Sequence, residues 1–403
     1  MRVAVVGLGT AGAATACLLF DRGHDVTVLE QADDPRPVGA GIWLQALGQQ
    51  VLDRLDLLAP LRASSCDVSR VAMAGRDGRP LLDLRYDARR ASTPALGVHR
   101  GDLFTLLFGA VRARGIPIEL GARVTALEPR TGGVALTVDD PGGPDARELG
   151  RFDLVVGADG SRSQVRAALG LTSRDRTYRY GALWAIVPDR AGLAGDTLHQ
   201  RMDGTRRYLG VLPTGTDRAS LFWSERTDRF EAVLAAGLPR WREDARALAG
   251  EFAPLLDEVT ELLPAAYRSV AVRSSYRMVG GGRSAGVLLG DAAHAMSPQL
   301  GAGTSLALAD AWTLAVALER KEPLPDALAW YDDQRRAHVR WYRWWTRALT
   351  PAFQSDLTAL ALPRDLLTPV LARTPGVPRL LVGTLSGDRT SLRRTWRLPR
   401  DAP

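Results

Sequence analysis

The chain has 403 residues, 46% hydrophobic and 24% charged, with a formal net charge of +7. That composition excludes disordered and low-complexity classes and leaves room for two or three domains. No apolar run approaches the ~20 residues that span a bilayer, and two cysteines, Cys17 and Cys66, exclude a disulfide scaffold. The first strand begins too near Met1 for a signal peptide, so a cytoplasmic protein is expected. Lys321 is the single lysine, so the positive charge is arginine. The arginines are scattered, with no helix-turn-helix, zinc-finger or aromatic RNA-binding signature, and no nucleic-acid partner is expected. A basic surface suits anionic small ligands.

In chain order, residues 2–6 (RVAVV) read as a buried parallel strand, 12–22 as a helix stopped by Gly23, and 26–30 (VTVLE) as a second strand. This β-α-β unit makes the opening sheet parallel and the fold α/β. Residues 47–58 and 102–115 read as amphipathic helices. Residues 116–129 (IPIELGARVTALEP) and 133–140 (GVALTVDD) read as strands of a hairpin or meander, with 141–150 (PGGPDARELG) as the turn region. FDLVVGADG is another buried strand. From 176 to 275 the strands are short, aromatic and alternating, which predicts an antiparallel sheet. AGVLLGDAAHAMSP returns to the buried-strand type, an Ala/Leu helix follows, and the tail is helical. In RRAHVRWYRWWTRAL, Trp341, Trp344 and Trp345 share a helical face, expected to pack beneath the first domain.

Gly7, Gly9 and Gly12 form a G-x-G-x-x-G turn between the first strand and helix. Such a turn lets backbone approach a pyrophosphate, and the free N–H groups of the helix start, at Thr10 and Ala11, favour its charge. Glu30, followed by Gln31, ends the second strand, where a carboxylate accepts hydrogen bonds from ribose hydroxyls. An acid there disfavours a 2′-phosphate, so NADP is disfavoured and FAD or NAD remain. Asp291 ends a later strand and precedes Pro298, Gly301, Ala302 and Gly303, a glycine loop opening a helix. Such a loop sets N–H groups against an anion like the N1–O2 edge of a reduced flavin.

Together the opening turn, GVHRGDL (97–103), DLVVGADGSRSQVR (153–166) and GDAAHAMSPQLGAG resemble single-component FAD-dependent aromatic monooxygenases of the para-hydroxybenzoate hydroxylase type. The likeness spans about residues 1–345, closest to the short salicylate-hydroxylase and epoxidase branches. It implies an α/β FAD-binding Rossmann-like domain (1–70, 96–175 and 276–325) interrupted by an antiparallel substrate domain (71–95 and 176–275), with a helical C-terminal region (326–403). It implies that Glu30 holds the adenosine ribose and that Arg100, in R-x-x-L with Leu103, reaches the pyrophosphate side. Val124 would contact adenine through its backbone. Asp159 and Gly160 would serve FAD and transient nicotinamide binding, with Arg166 as support. Asp291 would bind the ribityl and pyrophosphate region. Pro298 to Gly303 would line one side of the isoalloxazine, and Gly39, Ala40, Gly41 and Ile42 the other. One departure is that the loop reads GAG followed by Thr304, where the family often has a Gln between the glycines and an Asn further on.

The implied reaction is reduction of resident FAD by NADH or NADPH, reaction with O2, and a C4a-hydroperoxyflavin that hydroxylates or epoxidises an aromatic or polycyclic small molecule. Trp184, Arg201, Tyr208 and Trp223 are substrate candidates, and His199 is a candidate base for a phenol. His294 is expected to be structural. No metal site is expected, and the chain is read as a monomer or homodimer. A flavin reductase, a Baeyer-Villiger oxygenase and a non-catalytic flavin-binding regulator remain as alternatives.

Overall fold

Strand Arg2–Val6 turns its side chains alternately into two cores. It pairs in parallel with Asp25–Leu29 on one side and Leu154–Gly157 on the other. A central parallel strand is covered on both faces, and Val3 to Val6 are all buried. The computed structural model describes residues 1–401 apart from 38, 89–92, 140–145 and 321–322. Lys321 and the PGGPD half of the expected turn therefore lie outside the described residues.

The central sheet has six strands in the order Tyr276–Val279, Ser284–Leu288, Leu154–Gly157, Arg2–Val6, Asp25–Leu29 and Ile118–Glu119. Tyr276–Val279 runs antiparallel to its neighbour. Val3 and Val5 face helices Thr10–Phe20, Ala46–Asp53, Arg100–Ala113 and Gly303–Arg320. Ala4 and Val6 face a three-stranded meander of Val124–Arg130, Gly133–Val138 and Arg147–Phe152. Helix Gly303–Arg320 is apolar nearly all round because it lies between Thr10–Phe20 and the long helix Leu324–Phe353.

A second, seven-stranded sheet runs Leu263–Ala265, Tyr180–Pro188, Arg218–Arg226, Arg207–Pro213, Thr197–Asp203, Arg70–Gly75 and Pro80–Arg85. Three expectations need correction. The 47–58 helix ends at Asp53; Asp56 takes a left-handed φ of 59°, and a second helix starts at Leu58. The last residues of the expected 141–150 turn are strand Arg147–Phe152, because they complete the meander against Gly133–Val138. The second sheet is not wholly antiparallel: Arg70–Gly75 pairs in parallel with Thr197–Asp203. That pairing joins segments over a hundred residues apart, beyond the reach of local alternation.

Leu308 is fully buried where the helix layer meets the central sheet. Leu308→Ala is expected to lower the unfolding free energy by ~2–5 kcal/mol in urea titration. A loss below ~1 kcal/mol would contradict this packing.

Candidate functional site

Two of the three turn glycines are set by packing and the third by what approaches it. A Cβ on Gly7, whose φ is +100°, would stand 2.6 Å from the Ala158 carbonyl oxygen, and one on Gly12 would stand 1.8 Å from that of Gly7. A Cβ on Gly9 would meet nothing within 4 Å. Gly9 is also the N-cap of helix Thr10–Phe20 and gives it no side-chain cap. The helix start therefore faces open space with its N–H groups unsatisfied by a side chain. Glu30 is aimed over the same turn: its carboxylate accepts the N–H of Leu8 at 2.8 Å and that of Ala32 at 3.0 Å. Gln31 beside it is exposed. The Ala122 N–H bonds the Glu30 carbonyl at 2.9 Å, which brings the buried Val124 close by.

The distant Asp291 loop reaches this turn. A Cβ on Gly290 would lie 3.3 Å from that of Ala11. Asp291 is exposed to solvent, yet burial within the protein body pushes its carboxyl up, against the pull of His294 and Arg100. A side chain both enclosed and wet lies in a cleft. Across it, Arg100 is exposed at the start of helix Arg100–Ala113, and its N–H bonds the Ala40 carbonyl at 3.1 Å. No hydrogen bond to its guanidinium occurs among the described residues.

Pro298 is exposed and Ala302 buried. Helix Gly303–Arg320 makes its first bond from Leu306 to Ala302, leaving earlier N–H groups at the loop. Gly301, with φ +57°, lies so close to Trp43 that a Cβ would come within 2.7 Å of its ring. Trp43 follows Gly41 and Ile42 on strand Gly41–Leu44, so the two candidate flavin-lining loops meet. Behind them, Trp341 and Trp345 pack with Leu300, Ala302 and Leu306, whereas Trp344 is 58% exposed.

Asp159 lies beside Gly7, and one of its oxygens caps the short helix at the N–H groups of Gln164 and Val165 (2.7 and 3.1 Å). Its other oxygen is buried without a protein partner. The buried Arg166 ties this segment to the Asp291 loop, bonding the carbonyls of Ala292 at 2.8 Å and Ser161 at 2.9 Å.

The second sheet separates the substrate candidates by face. Trp223 packs with Leu183, Trp241 and Phe252 on the side covered by 230–257. His199 packs at a tilt against Phe252 and its Nε2 meets the Ala194 carbonyl at 3.2 Å; Arg201 pairs with Glu251. These three residues are thus engaged away from the flavin-lining loops. Trp184 and Tyr208 lie on the opposite face, each against Phe222, at ring distances of 5.1 and 4.9 Å. Phe222, which the sequence reading passed over, joins Trp43 in one cluster. On the same face the Gly41 N–H bonds Ser220 Oγ at 2.9 Å, and Gln299 bonds Gln354, which bonds Ser224 Oγ.

A family model described as "FAD binding domain" matches residues 1–342. The chain belongs to that family. It is 28% identical over 398 residues to the ubiquinone hydroxylase UbiL of Rhodospirillum rubrum, covering 94% of this chain and 88% of that protein. It is 31% identical over 372 residues to the 3-amino-4-hydroxybenzoate 2-monooxygenase PtnB3 of Streptomyces platensis, covering 84% and 85%. The crystal structure of Klebsiella pneumoniae HpxO complexed with FAD and uric acid superposes with a TM-score of 0.76 over 96% of this chain and 97% of that one, at 21% identity. The protein is an FAD-dependent oxidoreductase of the aromatic monooxygenase type, on the expected α/β fold. Among the described residues no helix is long and apolar enough to cross a membrane.

The monooxygenase holds its candidate cofactor loops with a buried ion network. Asp310, fully buried, accepts the N–H of Gly290 at 2.8 Å, meets His294 Nε2 at 2.6 Å and pairs with Arg335 at 2.6 Å. Burial would raise its carboxyl, but His294, Arg335 and the Gly290 N–H outweigh it and hold it far below the usual range. Arg335 also donates to His338 Nδ1, and His338 Nε2–H donates to the Gly387 carbonyl at 2.7 Å. Burial, then the Arg335 charge, depress the His338 ring well below its ordinary 6.5.

The sign of the pH effect follows. Below pH ~6.5 the unfolded His338 takes up a proton that the folded one refuses, so stability falls as pH drops. The Asp310 contribution is present above ~4 and is lost only in stronger acid. Between pH 7 and 5 the unfolding free energy is expected to fall by up to ~1.4 kcal/mol per pH unit from His338, and His338→Gln is expected to flatten that slope. An unchanged slope in the variant would refute the assignment.

Proposed function

We propose that the protein is an NADH- or NADPH- and O2-dependent monooxygenase that hydroxylates or epoxidises an aromatic or polycyclic small molecule. The observation that carries this reading is the row Trp184–Phe222–Tyr208, on the sheet face turned toward the two flavin-lining loops. The relatives named for ubiquinone and for an aminohydroxybenzoate act on rings that such a wall accepts.

The residues fit FAD by their own geometry. The open space at Gly9 and the helix start would receive the pyrophosphate, and Glu30 would take the ribose hydroxyls. Val124 would lie near the adenine end; Asp291 and Arg100 would face the ribityl and phosphate region; Gly41, Ile42 and Pro298 to Gly303 would border the ring. When bound, and reduced by NADH or NADPH visiting the cleft beside Asp159, FAD would supply oxygen activated from O2. The aromatic row excludes water and orients an electron-rich carbon. Burial pushes the Tyr208 hydroxyl up, so it stays protonated and can donate a hydrogen bond to a substrate oxygen. The free thiols Cys17 and Cys66 suit a reducing cytoplasm.

Turnover of phenols, aminohydroxybenzoates and quinones under labelled O2, read by mass spectrometry, tests this reading. One labelled oxygen atom in an aromatic product is expected. Phe222→Ala should raise KM ~10–100-fold with FAD content unchanged, while His199→Gln leaves kcat/KM within about twofold. Unlabelled product, or better turnover without air, would indicate a reductase and overturn it.

A further inference from the structure

Helix Ala361–Arg373 has an apolar face that nothing among the described residues covers. Leu362, Leu366 and Val370 follow at four-residue spacing, flanked by Leu367 and Leu371, and all five are 50–66% exposed. Leu357, just before the helix, is 57% exposed. A solvated helix normally turns such a face inward, and a contiguous exposed apolar patch marks an interaction site. The surroundings are basic. Residues 357–400 hold eight arginines and two aspartates, and one of those aspartates, Asp365, already pairs with the buried Arg364. Arg373, Arg379, Arg393 and Arg394 are exposed.

From the apolar face and this charge together, we infer that the C-terminal region docks on the surface of an anionic phospholipid bilayer. Leucines and valine enter the acyl boundary and arginines meet phosphate headgroups, the pattern of an interfacial helix. A second copy of the chain fits less well: a symmetric pair would set the two arginine-rich tails against each other. The placement also suits entry of an apolar ligand. The next helix, Val377–Leu385, sends Leu381 and Leu385 into the cluster that contains Trp43 and Phe222. Docking itself is independent of the reaction proposed above.

The test is flotation of the FAD-loaded protein with phosphatidylcholine vesicles, with and without phosphatidylglycerol. The protein should float with the anionic vesicles alone, and high salt should release it. Leu366→Ser/Val370→Ser and, separately, Arg393→Ala/Arg394→Ala should each lower the partition coefficient ~10-fold, with flavin absorbance and melting temperature unchanged. Failure of the wild type to float, or full binding by the leucine–valine variant, would overturn the inference. So would a wild-type dimer in sedimentation velocity that this variant dissociates.

Discussion

Asp310 carries a charge in the interior of the protein, and its three partners come from two separate segments of the chain. Gly290 and His294 belong to the loop that bears Asp291; Arg335 belongs to the long C-terminal helix. A buried carboxylate is tolerable only when its charge is matched and its lone pairs are used. Meeting that demand fixes the Asp291 loop, the start of the glycine loop and the C-terminal helix in one geometry. The network ends at the Gly387 carbonyl through His338, which stacks on Trp396 at 4.4 Å. The C-terminal tail thereby becomes part of the cofactor domain's support.

With that frame held, two segments almost three hundred residues apart build one cleft. The Gly9 turn opens onto free space, and the Asp291 loop packs against Ala11 in the next turn. The loops at Gly41 and Gly301 meet at Trp43 farther along. The second sheet then contributes its uncovered face, since helix Phe230–Ala249 and the residues after it occupy the other. Cofactor region and aromatic wall are thus consequences of which face each layer has already buried.

The legible parts of the sequence were those whose signals are local. Strand, glycine turn, helix and Glu30 lie within about thirty residues, so their periodicity and chemistry identify a dinucleotide site together. Four motifs in order extended the reading to the family. The substrate face was not legible in the same way. Alternation shows that His199 and Arg201 share one side of their strand, but not that Phe252 and Glu251 occupy that side. Phe222 became visible only through the register that sets it opposite Trp184. Asp310 did leave a signal: an acid in the middle of the apolar LALADAWTLAVAL stretch needs a partner. Arg335 and His338, one helix later, answered it only once the helices were packed.

The central claim is that one extended ligand bridges the Glu30 end and the Asp291 end of the cleft. Isothermal titration of the flavin-free protein with FAD and with AMP measures this directly. Glu30→Gln is predicted to weaken both ligands ~10-fold or more, and Asp291→Asn to weaken FAD while leaving AMP unchanged. Equal loss of both ligands in both variants, or no loss in either, would contradict a single site with two separate ends.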